Sequence, residues 1–142
     1  MNASHISKYK KYHKQKIRLK STIRSIREPT FGSFAIRAIE STRFSENHYG
    51  ALQRVFKRHS KKVGAIWFTG NPDRPISAKP VNIRMGKGKG ATAFWSHIVP
   101  TGEVVAELAG LPHDSMSRIS KLLQKKAPNR VKCCWARTKF HK

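Results

Sequence analysis

Apolar and polar positions change their period several times along the chain. Phe34, Ile36 and Ala38 alternate with Ala35, Arg37 and Ile39, which predicts a strand. Beyond Ser45, a candidate helix N-cap, Tyr49, Leu52, Val55, Phe56 and His59 recur at steps of three and four. This spacing predicts a helix that Gly64 ends. Positions 65–69 form a short buried run around Ile66, Trp67 and Phe68, closed by the turn Gly70-Asn71-Pro72-Asp73. Pro75 and Pro80 keep the next stretch extended, and Val81, Ile83 and Met85 alternate with Asn82 and Arg84. Positions 93–99 and 103–109 read as two strands joined by Pro100-Thr101-Gly102, hence a hairpin. Pro112 suits the first turn of a second helix, striped by Met116, Ile119, Leu122 and Leu123 and stopped by Pro128. Positions 131–138 read as a last strand. Two helices and about six strands make an α+β domain, with the helices packed on an antiparallel or mixed sheet. Trp67, Trp95 and Trp135 fall in strands and are expected in its core.

Composition changes the picture at the ends of this pattern. Residues 1–27 hold nine Lys or Arg and no acid, and Ile6, Ile17, Leu19 and Ile23 keep no common helical face. A cleaved presequence is equally basic and acid-poor. The excess of Lys and the missing helical face favour an extended arm that phosphates neutralise. The chain divides into a basic arm at 1–30, a globular α+β domain at 31–138 with a basic loop at 84–90, and a basic tail at 139–142. Its 142 residues carry 30 Lys plus Arg against seven Asp plus Glu, a formal net charge of +23. One domain so charged repels itself, and a polyanionic partner relieves that repulsion. With 38% hydrophobic residues the chain can build a core, unlike a disordered basic tail. No stretch reaches the ~18–20 apolar residues of a spanning helix, so no membrane role is expected.

Catalysis finds little to work with. Among the acids only Glu103 and Glu107 are close in sequence, and on a strand they would lie about 13 Å apart, too far to share a proton. The seven histidines are scattered without metal-ligand spacing. Adjacent Cys133 and Cys134 lack CxxC spacing and are expected as reduced thiols. The run Gly86-Lys87-Gly88-Lys89-Gly90 is no Walker loop, because no Gly-Lys is followed by Ser or Thr. It is no dinucleotide fingerprint either, because Ala91 stands where the third glycine belongs. No catalytic residue, metal or cofactor is expected.

The cations group instead into RNA-binding sets. Lys8, Lys10, Lys11, His13, Lys14 and Lys16 lie in the arm; Arg54, Lys57, Arg58, Lys61 and Lys62 lie on the polar face of the first helix. In the loop, Arg84, Met85, Gly86, Lys87, Gly88, Lys89 and Gly90 combine an approachable backbone with two point charges and one planar fork. A solvated hairpin tip is the plain alternative. Tyr9, Tyr12 and Phe140 are aromatic rings in basic segments, suited to base stacking if exposed.

These motifs carry a resemblance. Lys8-Tyr9-Lys10-Lys11-Tyr12-His13-Lys14 resembles the opening Lys-x-Arg-Lys-x-His-Lys of the large-subunit ribosomal protein L-sixteen family (the L-sixteen / L-ten-e superfamily). Phe31-Gly32-Ser33-Phe34, Gly64-Ala65-Ile66-Trp67, Pro72-Asp73-Arg74-Pro75, the 84–90 run, Phe94-Trp95 and Pro100-x-Gly102 follow in the family's order. The resemblance implies an α/β-hammerhead type of α+β fold and a non-catalytic place in the large ribosomal subunit. It implies large-subunit rRNA, tRNA and neighbouring ribosomal proteins as partners, and no homo-oligomer. It also implies that the basic N-terminus is the mature start, and that loop 84–90 reaches toward tRNA beside the aminoacyl site, near the peptidyl-transferase centre. Ala65, Thr69-Gly70-Asn71, Ala93-Phe94 and Val131-Lys132-Cys133-Cys134-Trp135 depart from the bacterial pattern, which looks more like a mitochondrial member than a bacterial or plastid one. The rival expectation is an extraribosomal RNA-processing or RNA-modifying enzyme with a basic surface. The missing carboxylate, metal and cofactor motifs count against it.

Overall fold

In the computed structural model, residues 11–17, 29–60, 63–128 and 130–135 are described. Both helices form where the 3.6-residue period places them. Helix α1 (Glu46–His59) buries Tyr49, Leu52 and Phe56, and the backbone N–H of its N-cap Ser45 donates to His48 Nδ1 at 3.1 Å. Glu46 in the first turn and Lys57 and Arg58 in the last suit the helix dipole. The helix stops at Ser60 rather than at Gly64, and His59 is exposed instead of on the apolar stripe. Helix α2 (His113–Lys126) buries Met116, Ile119, Ser120 and Leu123. Pro112 is its N-cap rather than its first residue, and Ala127 turns extended ahead of Pro128, as the residue before a proline must.

The strands assemble into two antiparallel sheets. One has the order β3 (Ala65–Phe68), β6 (Val104–Ala109), β1 (Phe34–Ala38), β7 (Val131–Trp135). The other has the order β2 (Thr42–Ser45), β5 (Ala91–Val99), β4 (Arg74–Ala78). Phe34 and Ile36 pair with Leu108 and Ala106, so one face of the first sheet is apolar in register. That face joins Leu52 and Phe56 of α1 and Met116, Ile119 and Leu123 of α2 in one core. Phe44, Val99 and Tyr49 extend the core to the second sheet. The architecture is α+β, two helices on antiparallel sheets.

Three expectations are corrected by this architecture, and one unpredicted strand is added. The segments around Pro100-Thr101-Gly102 do not pair with each other: β5 joins the second sheet and β6 the first. Their turn is a corner between sheets, stitched to the end of β1 by Gly102 N–H donating to Ala38 O (2.8 Å) and Ala38 N–H to Glu103 O (3.0 Å). The alternation at Val81, Ile83 and Met85 is no strand, because these residues lie in the exposed β4–β5 loop with no partner strand beside them. Trp67 is not in the core, since β3 is an edge strand and the side chain faces away from the helices. Strand β2 escaped the sequence reading because Thr42-Arg43-Phe44-Ser45 is too short to show a period.

Candidate nucleic-acid interface

The cations occupy three surfaces with different supports. On α1, Arg54, Lys57 and Arg58 are exposed on the side away from Leu52 and Phe56. Arg54 Nε also donates to Gly50 O at 3.3 Å, which holds its fork along the helix. Lys61 and Lys62 lie outside the described residues, as do Lys8, Lys10, Tyr9, Phe140 and the tail at 139–142.

The second surface is the arm. Lys11, Tyr12, His13, Lys14 and Lys16 are all exposed. Two cations of the domain hold the arm by its backbone: Arg43 Nη2 donates to Gln15 O at 2.8 Å, and Lys89 Nζ donates to Tyr12 O. Carbonyl groups are the same in every residue, so this grip fixes where the arm runs and leaves its charged side chains outward. A cleft of about 230 Å³ opens between arm and domain, lined by Tyr12, His13, Arg43, Asp73 and Arg74 among others.

The third surface is the loop between Ala78 and Ala91, the last pair of the β4–β5 ladder. Gly90 closes its base, where a Cβ would strike the Ala78 backbone. Gly86, Lys87 and Gly88 all have positive φ (97°, 52° and 84°), a left-handed run that glycine tolerates and lysine does not favour. Lys79 Nζ bonds Gly86 O at 2.6 Å and props the tip from inside. On the loop's outer side Arg84 and Lys87 are exposed, and Val81 and Met85 are 100% exposed, so no described residue packs on those two. The loop is a cationic and apolar finger with its own internal brace.

Residues 5–134 match the family described as ribosomal protein L16p/L10e. The chain belongs to that family. Its relatives include large ribosomal subunit proteins uL16 of three bacteria. The protein of Rhodospirillum rubrum is 36% identical over 126 residues, covering 89% of this chain and 90% of its own. That of Christiangramia forsetii is 34% identical over 131 residues, covering 92% and 93%. That of Beijerinckia indica is 40% identical over 101 residues, covering 71% and 74%.

This L16p/L10e member holds further polar groups outside these three surfaces. Among the described residues no three His, Cys, Asp or Glu side chains gather to hold a metal. Glu103 precedes β6 and sits 4.0 Å from His97 Nε2, while Glu107 is buried within β6, so the two carboxylates have separate surroundings. Cys134 is a half-buried free thiol in β7. Tyr49 Oη and His97 Nε2 are buried atoms beneath Gly70, and neither has a hydrogen-bond partner among the described residues. Burial, reinforced by the negative charge of Glu103, pushes the Tyr49 phenol well above its usual range. Sequence reasoning missed Arg43 and Lys79 as braces of arm and loop. Isolated cations in short polar stretches give no signal of the carbonyl they will meet. It also missed Glu107, whose partners lie more than 70 residues away in the chain.

Proposed function

We propose that this chain is a structural, non-catalytic constituent of the large ribosomal subunit. In this reading it binds large-subunit rRNA through its arm and the cationic face of α1, and directs loop 84–90 at tRNA beside the aminoacyl site. The observation that carries the reading is the match to the ribosomal family over residues 5–134. The disposition of charge supports it: arm, helix face and loop each present cations outward, the arm's backbone is held by Arg43 and Lys89, and the loop's by Lys79. It acts as one copy among RNA and neighbouring ribosomal proteins. The departures from the bacterial pattern named above favour, in this reading, a mitochondrial ribosome, with a bacterial or plastid one as the alternative. The fraction whose large subunits contain the chain tests that location.

Binding to large-subunit rRNA is expected to weaken linearly in log–log salt plots, because phosphate neutralisation releases counterions. Lys57→Ala should flatten the slope by about 0.7–0.9 units, the loss of one phosphate contact. An affinity indifferent to salt would refute the rRNA reading. Lys87→Ala, on the exposed tip, should leave subunit assembly intact and weaken tRNA at the aminoacyl site of reconstituted subunits. Wild-type tRNA affinity would make the loop a solvated tip only.

A further inference from the structure

The first sheet has a second face, opposite Phe34, Ile36, Ala106 and Leu108. Direct register places Trp67, Glu107, Ala35 and Cys134 in one row across it, from β3 to β7. The turn Thr30-Phe31-Gly32 lies over this row for an evident reason. Glu107 Oε2 accepts the N–H groups of all three residues, at 3.0, 2.6 and 3.0 Å, and Glu107 is only 2% exposed. Gly32 lets the turn come this near, since a Cβ there would sit 2.7 Å from Leu108 O and 2.8 Å from Leu108 N. The result is a fixed place for Phe31, whose ring centroid stands 6.1 Å from that of Trp67 at 33° between planes. Yet Phe31 is 68% exposed and Trp67 38%. One buried carboxylate and three hydrogen bonds hold two aromatic faces out in solvent.

We propose that Phe31 and Trp67 form a stacking platform for an unpaired nucleobase of the rRNA, with Glu107 as its positioning residue. The proposal rests on the rRNA-binding reading and adds a site to it. Charge complementarity selects RNA over an apolar protein partner. Arg37 and Lys132 stand directly opposite each other on the same face, two residues along from Ala35 and Cys134. Arg37 is steadied by Nη1 donating to Gly102 O at 3.2 Å, and Lys132 is exposed. Three strand spacings across the sheet and two residues along it put Lys132 about 16 Å from Trp67, near enough for one short strand to meet both. The carboxylate of this row, Glu107, is buried and engaged by three donors, so it does not present a bare charge to phosphate. A π-face accepts any base, while the cations take the backbone.

The test uses the full chain and a large-subunit rRNA domain fragment. Phe31→Ala and Phe31→Leu should each weaken binding about tenfold, since leucine keeps apolar bulk but has no π-face. Phe31→Tyr should bind as wild type. Stacking releases no counterion, so the salt slope should stay unchanged in all three, whereas Lys57→Ala changes it. RNA should quench tryptophan emission, and Trp67→Phe should remove that component of the quenching while retaining affinity. Thermal unfolding of each variant controls for folding, and Phe31→Leu serves if the alanine variant is unstable. Wild-type affinity in Phe31→Leu would overturn the platform while leaving salt-dependent rRNA binding standing. Normal RNA affinity with failed subunit assembly would assign the aromatic pair to a protein neighbour and equally overturn it. Absence of salt-dependent binding in the wild type would remove the rRNA reading itself.

Discussion

Replacing Glu107 by Gln isolates the charge of the buried acceptor while keeping its shape and one carbonyl oxygen. In the wild type, one oxygen takes three backbone N–H groups, of which that of Gly32 is fully buried and those of Thr30 and Phe31 partly so. Hydrogen bonds to a charged group contribute about 1.5–3 kcal/mol each and neutral ones about 0.5–1.5. The change should therefore cost about 1 kcal/mol per bond, or about 3 kcal/mol for three. Relief from burying a charge offsets part of this, so a net loss of about 2 kcal/mol is expected. In a domain of this size that corresponds to a fall in Tm of about 5–10 °C. Urea unfolding followed by far-UV circular dichroism reads the global effect. Amide hydrogen exchange reads the local one, and protection should fall first at Thr30, Phe31 and Gly32. A loss below about 0.5 kcal/mol with unchanged exchange at these three amides would show that the carboxylate does not hold the turn.

Further outcomes follow from one buried phenol and from two glycines of the loop. Tyr49→Phe deletes a hydroxyl with no hydrogen-bond partner among the described residues, so stability at neutral pH should be unchanged or rise by up to about 1 kcal/mol. The native phenol is raised above its unfolded value of about 10 by burial and then by Glu103, so stability is intact below about pH 10 and drains away as pH climbs toward the native value. The urea midpoint of the wild type should thus fall further than that of Tyr49→Phe between pH 9 and pH 11, and equal falls would contradict the burial argument. Gly90→Ala forces a methyl against the Ala78 carbonyl at the base of the loop, where backbone cannot yield, and should cost about 1–3 kcal/mol by thermal unfolding. Gly86→Ala has open space and pays only for its positive φ, about 1–2 kcal/mol if the tip keeps its conformation, and less if the exposed tip relaxes.

The two helices were legible because their signal is local and repeated: Tyr49, Leu52 and Phe56, or Met116, Ile119 and Leu123, declare a face within one segment. The positions of β1, β3, β5, β6 and β7 were legible too, but their partners were not. Two strands around Pro100-Thr101-Gly102 look alike in sequence whether they pair or part, since the decision rests on Ala38, Ser41 and the distant partners, β2 and β4 for β5, β1 and β3 for β6. Alternation at Val81, Ile83 and Met85 imitated a strand because exposed apolar side chains carry the same letters as buried ones. Of the candidate site, the described cations of arm, helix and loop are exposed. Lys89 was read as a phosphate ligand, yet in the structure it holds the Tyr12 carbonyl. The aromatic face at Phe31 and Trp67 stayed hidden, because its exposure depends on an edge strand and on a carboxylate far along the chain.

The order in which the strands are used bears on how this protein is made. Along the chain the first sheet takes β1, β3, β6 and β7, and the second takes β2, β4 and β5, so neither sheet is written in one continuous stretch. A nascent chain that has emerged as far as β3 holds two strands of the first sheet and lacks β6, the strand that lies between them. Such a fragment carries Phe34, Ile36, Phe44 and Phe56 with no sheet to bury them, on a strongly cationic chain. Folding must wait for residues 91–109, and then both sheets close nearly together across the shared corner. Topologies so rich in distant pairings fold slowly and expose apolar edges while they wait. A polyanion or chaperone that shields the incomplete chain therefore acts on a vulnerability that the strand order itself creates, and truncations before β6 should yield aggregating rather than partly folded protein.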